Sequence, residues 1–147
     1  MNPIPEDPFS LERFVGAQKD SYDKALAELK RGRKVSHWMW FVFPQYAGLG
    51  RSETAHFYAI KSAAEAAAYL NHPVLGPRLL GCCDALLQVE GRSASEIFGF
   101  PDDLKLKSAM TLFSTVAGPG SVFDQVLAKY FGGHADQRTL ELLEGDG

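Results

Sequence analysis

Apolar residues recur along this chain with the three-and-four spacing of helices, and no stretch alternates apolar and polar long enough to require a sheet. The clearest run is Leu75, Leu79, Cys82, Leu86 and Val89, which describes one helical face closed by Gly91. Tyr22, Leu26 and Leu29, with Ala25 beside them, predict a helix from about Asp20 to Arg31, stopped at Gly32. Phe123, Leu127, Tyr130 and Phe131 predict another, capped by Ser121 and ended by Gly132-Gly133.

Polar punctuation supplies the remaining boundaries. A short helix is expected after Pro8, turning Leu11, Phe14 and Val15 inward, behind an extended lead-in over residues 1–8. Ser52 is placed to cap a helix running through Phe57 and Ile60. Ser62-Ala63-Ala64-Glu65 and Ser93-Ala94-Ser95-Glu96 match capping boxes. Pro101, followed by Asp102 and Asp103, opens a helix expected to reach Ala117. Asp136 caps a last one through Leu140 and Leu143. The expectation is a single all-α domain over residues 1–147, built of about seven to nine short helices. Glycine and proline interrupt it too often for a long-helix bundle.

One stretch resists assignment by period. In Ser36-His37-Trp38-Met39-Trp40-Phe41-Val42-Phe43-Pro44-Gln45-Tyr46 nearly every position is apolar, so a short helix and an extended segment both fit, and helix is favoured by its neighbours. Pro44 ends it in either case.

Composition narrows the class. With 46% hydrophobic and 22% charged residues, a packed core is expected and disorder is not. A net charge of -3 argues against a dedicated nucleic-acid binder, because phosphate affinity rests on Lys and Arg. The basic run Lys30-Arg31-Gly32-Arg33-Lys34 falls at a helix end, where cations suit the dipole, with a phosphate contact as the alternative. No apolar run approaches the roughly 20 residues of a membrane helix. The acidic, proline-broken start is unlike a signal peptide, so a cytoplasmic location is expected. Cys82 and Cys83 are adjacent within a helix and point apart, so they do not easily bridge and are expected to be buried free thiols. No histidine pair has metal spacing, and neither metal nor cofactor is expected.

Candidate chemistry gathers around the aromatic stretch. Both tryptophans of the chain lie there, and Gln45, Gly48-Leu49-Gly50, Arg51 and Ser52 follow. Amphipathic aromatics beside a few polar groups are the usual lining of a ligand pocket. In that reading Trp38 and Trp40 stack on a planar or sugar-like ligand, Gln45 orients it, and Arg51 pairs with an anionic group. The glycine loop running to Ser52 adds amides at a helix start. The plainer reading puts the tryptophans in the core and Arg51 at a surface turn. His37 is either a core histidine or the acid/base, being the side chain that titrates near neutrality. His72, before Pro73, suits a helix end as imidazolium. Farther on, Lys105, Ser108 and Thr111 step by three along a helix that must bury Leu106, Met110 and Phe113, and form a polar ridge that is either solvated or anion-facing. Asp103 is a second acid/base candidate, though its spacing to Lys107 also suits a surface ion pair. No nucleophile motif accompanies these groups.

Asp7-Pro8-Phe9 with Leu11-Glu12-Arg13-Phe14, the string from Ser36 to Gln45, Gly48-Leu49-Gly50-Arg51-Ser52, and Asp103-Leu104-Lys105-Leu106 through Ser108-Ala109-Met110-Thr111-Leu112-Phe113 resemble a family of small, mostly bacterial proteins. It is the domain of unknown function 1810, some of whose members carry the label calpastatin. The resemblance covers almost the whole chain and implies an all-helical fold with no established activity. The usual serine pair before Met-Thr-Leu-Phe is Ser108-Ala109 here. Inhibitors called calpastatin resemble long disordered repeats, which this chain lacks. The helix order, the run Leu75–Leu87 and an Asp near Asp103 are also similar to a helical family linked to ADP-ribose and riboflavin-pathway N-glycosides.

The expected function is therefore binding, with hydrolysis as an extension, of a small anionic ligand of nucleotide-like, ADP-ribose-like or sugar-phosphate type. The alternative is an interaction module for a protein partner, without chemistry.

Overall fold

The computed structural model describes residues 7–146, so most of the lead-in expected over 1–8 lies outside the described residues. Among the described residues ten helices follow one another: α1 (Glu12–Gln18), α2 (Tyr22–Lys30), α3 (Met39–Val42), α4 (Glu53–Tyr58), α5 (Ala63–Asn71), α6 (Leu75–Gln88), α7 (Ala94–Phe98), α8 (Asp102–Ala117), α9 (Val122–Phe131) and α10 (Gln137–Asp146). That is one more than the upper expectation, because the ambiguous aromatic stretch closes a helical turn of its own. The fold is all-α. Its single β-bridge among the described residues pairs Tyr46 with Ile60.

Two helices organise the packing. α8 lies against α5, α7, α9 and α10, and α6 lies against α2, α5 and α9. One continuous core results, with Phe14, Tyr69, Leu79, Leu86, Phe113 and Phe123 essentially inaccessible to solvent. Tyr69 meets Phe14 edge-on and continues through Phe113 to Phe123, ring centroids 5.1–5.6 Å apart. Cys82 and Cys83 are free and buried, and burial pushes the Cys82 thiol up to about 12.

Several local expectations hold at atomic detail. Ser93 and Glu96 form the reciprocal capping box of α7, and Ser52 and Ser121 cap α4 and α9 through their side chains. Asp136 takes the Thr139 amide at the start of α10. The Ser62 box is only half made. Ser62 accepts the Glu65 amide, but Glu65 turns to the Lys61 amide and to Arg13, with which it forms a buried ion pair at 2.6 Å.

Two expectations are corrected. The helix opened by Ser52 does not run through Ile60: it ends at Tyr58, Ala59 is extended, and the Ile60 amide donates to the Gln45 carbonyl at 2.9 Å. His72 does end the preceding helix, as the C-cap of α5, but its ring serves the following one, since Nδ1 accepts the amides of Val74 and Leu75 ahead of α6.

The one-turn α3 is fixed at both ends by buried polar side chains. Before it, Glu28 on α2 accepts from the amides of Val35 and Ser36, the Ser36 hydroxyl and Trp38 Nε1. Toward its end, the Phe41 carbonyl accepts from Gln18 Nε2 and the Tyr69 hydroxyl. Four residues are too few for a self-supporting helix. These contacts, with apolar burial of Met39 and Val42, hold the turn and so aim Trp40.

Candidate functional site

Trp40 is the common wall of two clefts. The first, of about 320 Å³, runs from Trp40, Gln45, Leu49 and Gly50 across Leu104, Lys105 and Ser108 to Asp136 and Arg138 at the start of α10. The second, of about 230 Å³, lies between the segment from Lys34 to Phe41, Thr54 on α4, and Asp102 and Lys105 on α8. Beside Trp40 a cavity of about 10 Å³ adjoins Gln45, Tyr46 and Tyr58, room for about one water molecule at most.

The Lys105 ammonium stands 4.1 Å from the Trp40 ring centroid, a cation–π distance, and separates the clefts with it. It also donates to Asp102 at 3.0 Å. Lys34 reaches the other Asp102 oxygen at 2.8 Å and lies 5.1 Å from the Trp38 ring centroid. Burial works to raise the Asp102 carboxyl, but hydrogen bonds and charge from Lys34 and Lys105 outweigh it and hold the group below its usual range.

Two local features shape the first cleft. Gly50 passes so close to its surroundings that an added Cβ would stand 2.5 Å from the Ala55 Cβ and 3.3 Å from the Trp40 ring. Gln45, held through its carbonyl by Ile60, is buried, and its Nε2 has no hydrogen-bond partner among the described residues. Such orphaned donors are uncommon in folded proteins.

Comparison with known proteins places the chain. A family model described as protein of unknown function (DUF1810) matches residues 8–143. The chain belongs to that family. A DUF1810 chain is thus seen here with an all-helical fold, and a solved structure agrees with it. The crystal structure of the conserved hypothetical protein Rv1873 from Mycobacterium tuberculosis is 55% identical, with a TM-score of 0.92 over 94% of this chain and 99% of that one. No curated protein matches.

Within this DUF1810 protein the residues singled out from sequence divide into those that converge and those that do not. Trp40, Gln45, Lys105 and Ser108 line the first cleft together. His37 is exposed at the second. Trp38 also touches the second cleft, but it is 1% exposed and its indole N–H donates to Glu28 at 3.0 Å, so it is anchored in the core. Ser52 uses its hydroxyl as a helix cap. Arg51 is exposed beside Gly50 and lines neither cleft. Asp103 lines neither cleft; it accepts the Leu104 amide and forms no ion pair with Lys107. The carboxylate that joins the cluster is its neighbour Asp102. The ridge of Ser108 and Thr111 is covered by the approach to α10: Ser108 donates to Asp136, and Thr111 accepts the Asp136 amide. Lys34, Asp102, Asp136 and Arg138 were not among the site residues expected from sequence: Lys34 stood only in the basic run, Asp102 only as a first-turn carboxylate and Asp136 only as a helix cap, and Arg138 carried no signal.

Among the described residues no group of three or more His, Cys, Asp and Glu is arranged to hold a metal. No helix among them is long and apolar enough to cross a membrane.

Proposed function

We propose that this protein binds a small anionic ligand with a planar or sugar-like group, of nucleotide-like, ADP-ribose-like or sugar-phosphate type, in the first cleft. Trp40 offers a stacking face, and Lys105 and Arg138 offer two cationic groups against the one Asp136 carboxylate of the cleft. The observation that carries the reading is the Gln45 amide. It is 8% exposed, lines the cleft, and has an Nε2 with no partner among the described residues. A buried donor left unpaired costs about 1–3 kcal/mol, and a rotation of the amide that turns it to an acceptor in the cleft relieves that cost. The cleft volume is at the small end of ligand sites, which begin near about 300 Å³. Hydrolysis would require a ligand that extends past Trp40 into the second cleft, where His37 would activate a water.

Thermal unfolding against nucleotides, ADP-ribose, sugar phosphates and plain nucleosides tests this reading. A ligand at a hundredfold excess over its Kd adds about 2.7 kcal/mol, which raises the midpoint by about 5–10 °C for a chain of this size. The shift is expected to shrink in Arg138→Met and Gln45→Leu. A midpoint that no compound moves overturns it. The interaction reading then gains, because Phe100 (80% exposed) and Leu104 (51%) leave apolar side chains in solvent near the cleft. Capture of a partner by the wild type and not by Phe100→Ser would support it.

A further inference from the structure

In the second cleft one carboxylate serves two ammonium groups. Asp102 meets Lys34 at 2.8 Å and Lys105 at 3.0 Å, and the Lys34 side chain is only 8% exposed. The three groups carry one uncompensated positive charge. They face a cleft walled by Met39, Trp40 and Phe41, where low polarity weakens screening. A partly buried cation without its full complement of negative charge is unfavourable, and an anion entering the cleft removes the imbalance.

The donors around the cleft indicate which anion. Lys34 comes from the loop before α3, His37 from the turn into it, Thr54 from α4 and Lys105 from α8, so they approach from separate elements. A carboxylate offers two oxygens in one plane. A phosphoryl group offers three strong acceptor oxygens in a tetrahedral spread, with up to two negative charges. We propose that the second cleft is a phosphoryl-binding subsite in which Lys34 and Lys105 contact the anion, with Thr54 and His37 as further donors.

Because Trp40 and Lys105 wall both clefts, a ligand lying across them would place its planar group on one side of the indole and its phosphoryl group on the other. That extension rests on the reading of the first cleft. The subsite itself does not.

The test uses inorganic phosphate, with sodium chloride at matched ionic strength as the control, and then a nucleoside beside its 5′-monophosphate. Wild type is expected to bind phosphate beyond the chloride effect. Lys34→Met is expected to weaken phosphate by about 10- to 100-fold, the effect of one charge-assisted hydrogen bond, while Lys24→Met, exposed on α2 and lining neither cleft, leaves it unchanged. Thr54→Val, at an exposed position, is the second variant should Lys34→Met not fold, and is expected to weaken phosphate measurably. A nucleoside monophosphate that binds more tightly than phosphate or nucleoside alone assigns the anion to a larger ligand; equal affinity for phosphate and monophosphate assigns it to free phosphate. Phosphate that acts only as chloride does, or binds Lys34→Met and Thr54→Val as tightly as wild type, overturns the subsite. Loss of phosphate binding with nucleoside binding intact counts against the subsite alone, and the reverse pattern counts against the first cleft alone.

Discussion

Glu28 turns its carboxylate into the protein and accepts four hydrogen bonds there, at 2.6–3.0 Å. Burial alone would raise its pKa. The bonds from Ser36, Val35 and Trp38 outweigh that and hold it at about 2, against an ordinary 4.5. A folded-state pKa below the unfolded one gives stability that is fully present above 4.5 and is lost as pH falls toward 2. Its size is up to about 3 kcal/mol. Urea unfolding of wild type and Glu28→Gln at neutral pH and at points below 4.5 checks this: the wild-type advantage is expected to be largest near neutrality and to shrink as the carboxylate protonates. An advantage that does not change with pH would show that packing, not charge, is what Glu28 contributes. None of this was legible in the sequence. A glutamate on an amphipathic helix reads as solvated, and its indole partner lies ten positions away across a loop whose path local pattern does not specify.

At the scale of elements, the sequence speaks clearly where a helix is decided by its own residues. The face Leu75, Leu79, Cys82 and Leu86 is buried in α6 as its period requires, and Ser93 with Glu96 makes the box its spacing requires. It is silent where a boundary depends on something distant. Glu65 leaves its box because Arg13, 52 residues away, presents a guanidinium. The same limit explains Asp103. Two adjacent carboxylates at a helix start differ by about 100° in direction, since 3.6 residues make a turn. Which of them faces Lys34 is set by how α8 docks. The junction of α5 and α6 is equally constrained, and from the backbone side. A Cβ on Gly76 would stand 2.1 Å from the Leu70 carbonyl oxygen. Gly76→Ala must therefore separate the two helices, and is expected to cost at least about 1–3 kcal/mol. A lower urea midpoint at unchanged slope is the confirming result; an unchanged midpoint would mean the junction relaxes freely.

For the whole molecule, one core links α1, α5, α8 and α9 through adjoining rings. Such a core is expected to melt in a single cooperative transition, followed alike by far-ultraviolet and near-ultraviolet circular dichroism. Phe113→Ala, at the centre of that chain of rings, is expected to lower stability by about 3–5 kcal/mol without splitting the transition. Two separated transitions would contradict a single cooperative unit. All-helical class was legible because helical periods and caps fill the chain. The candidate site was legible in part: Trp40, Gln45, Lys105 and Ser108 were singled out and do meet. Asp136 and Arg138 join them only because α10 folds back on α8.

The placement of the two tryptophans has an optical consequence. Trp38 is sealed in the core and bonded to a buried carboxylate, while Trp40, two residues on, is half-buried beneath an ammonium at the edge of two clefts. Their fluorescence therefore reports different things. Emission from Trp38 changes when the fold opens. Emission from Trp40 changes with whatever enters beside it while the fold stays shut. With each indole removed in turn, the protein carries an internal gauge of folding and, separately, an internal gauge of occupancy.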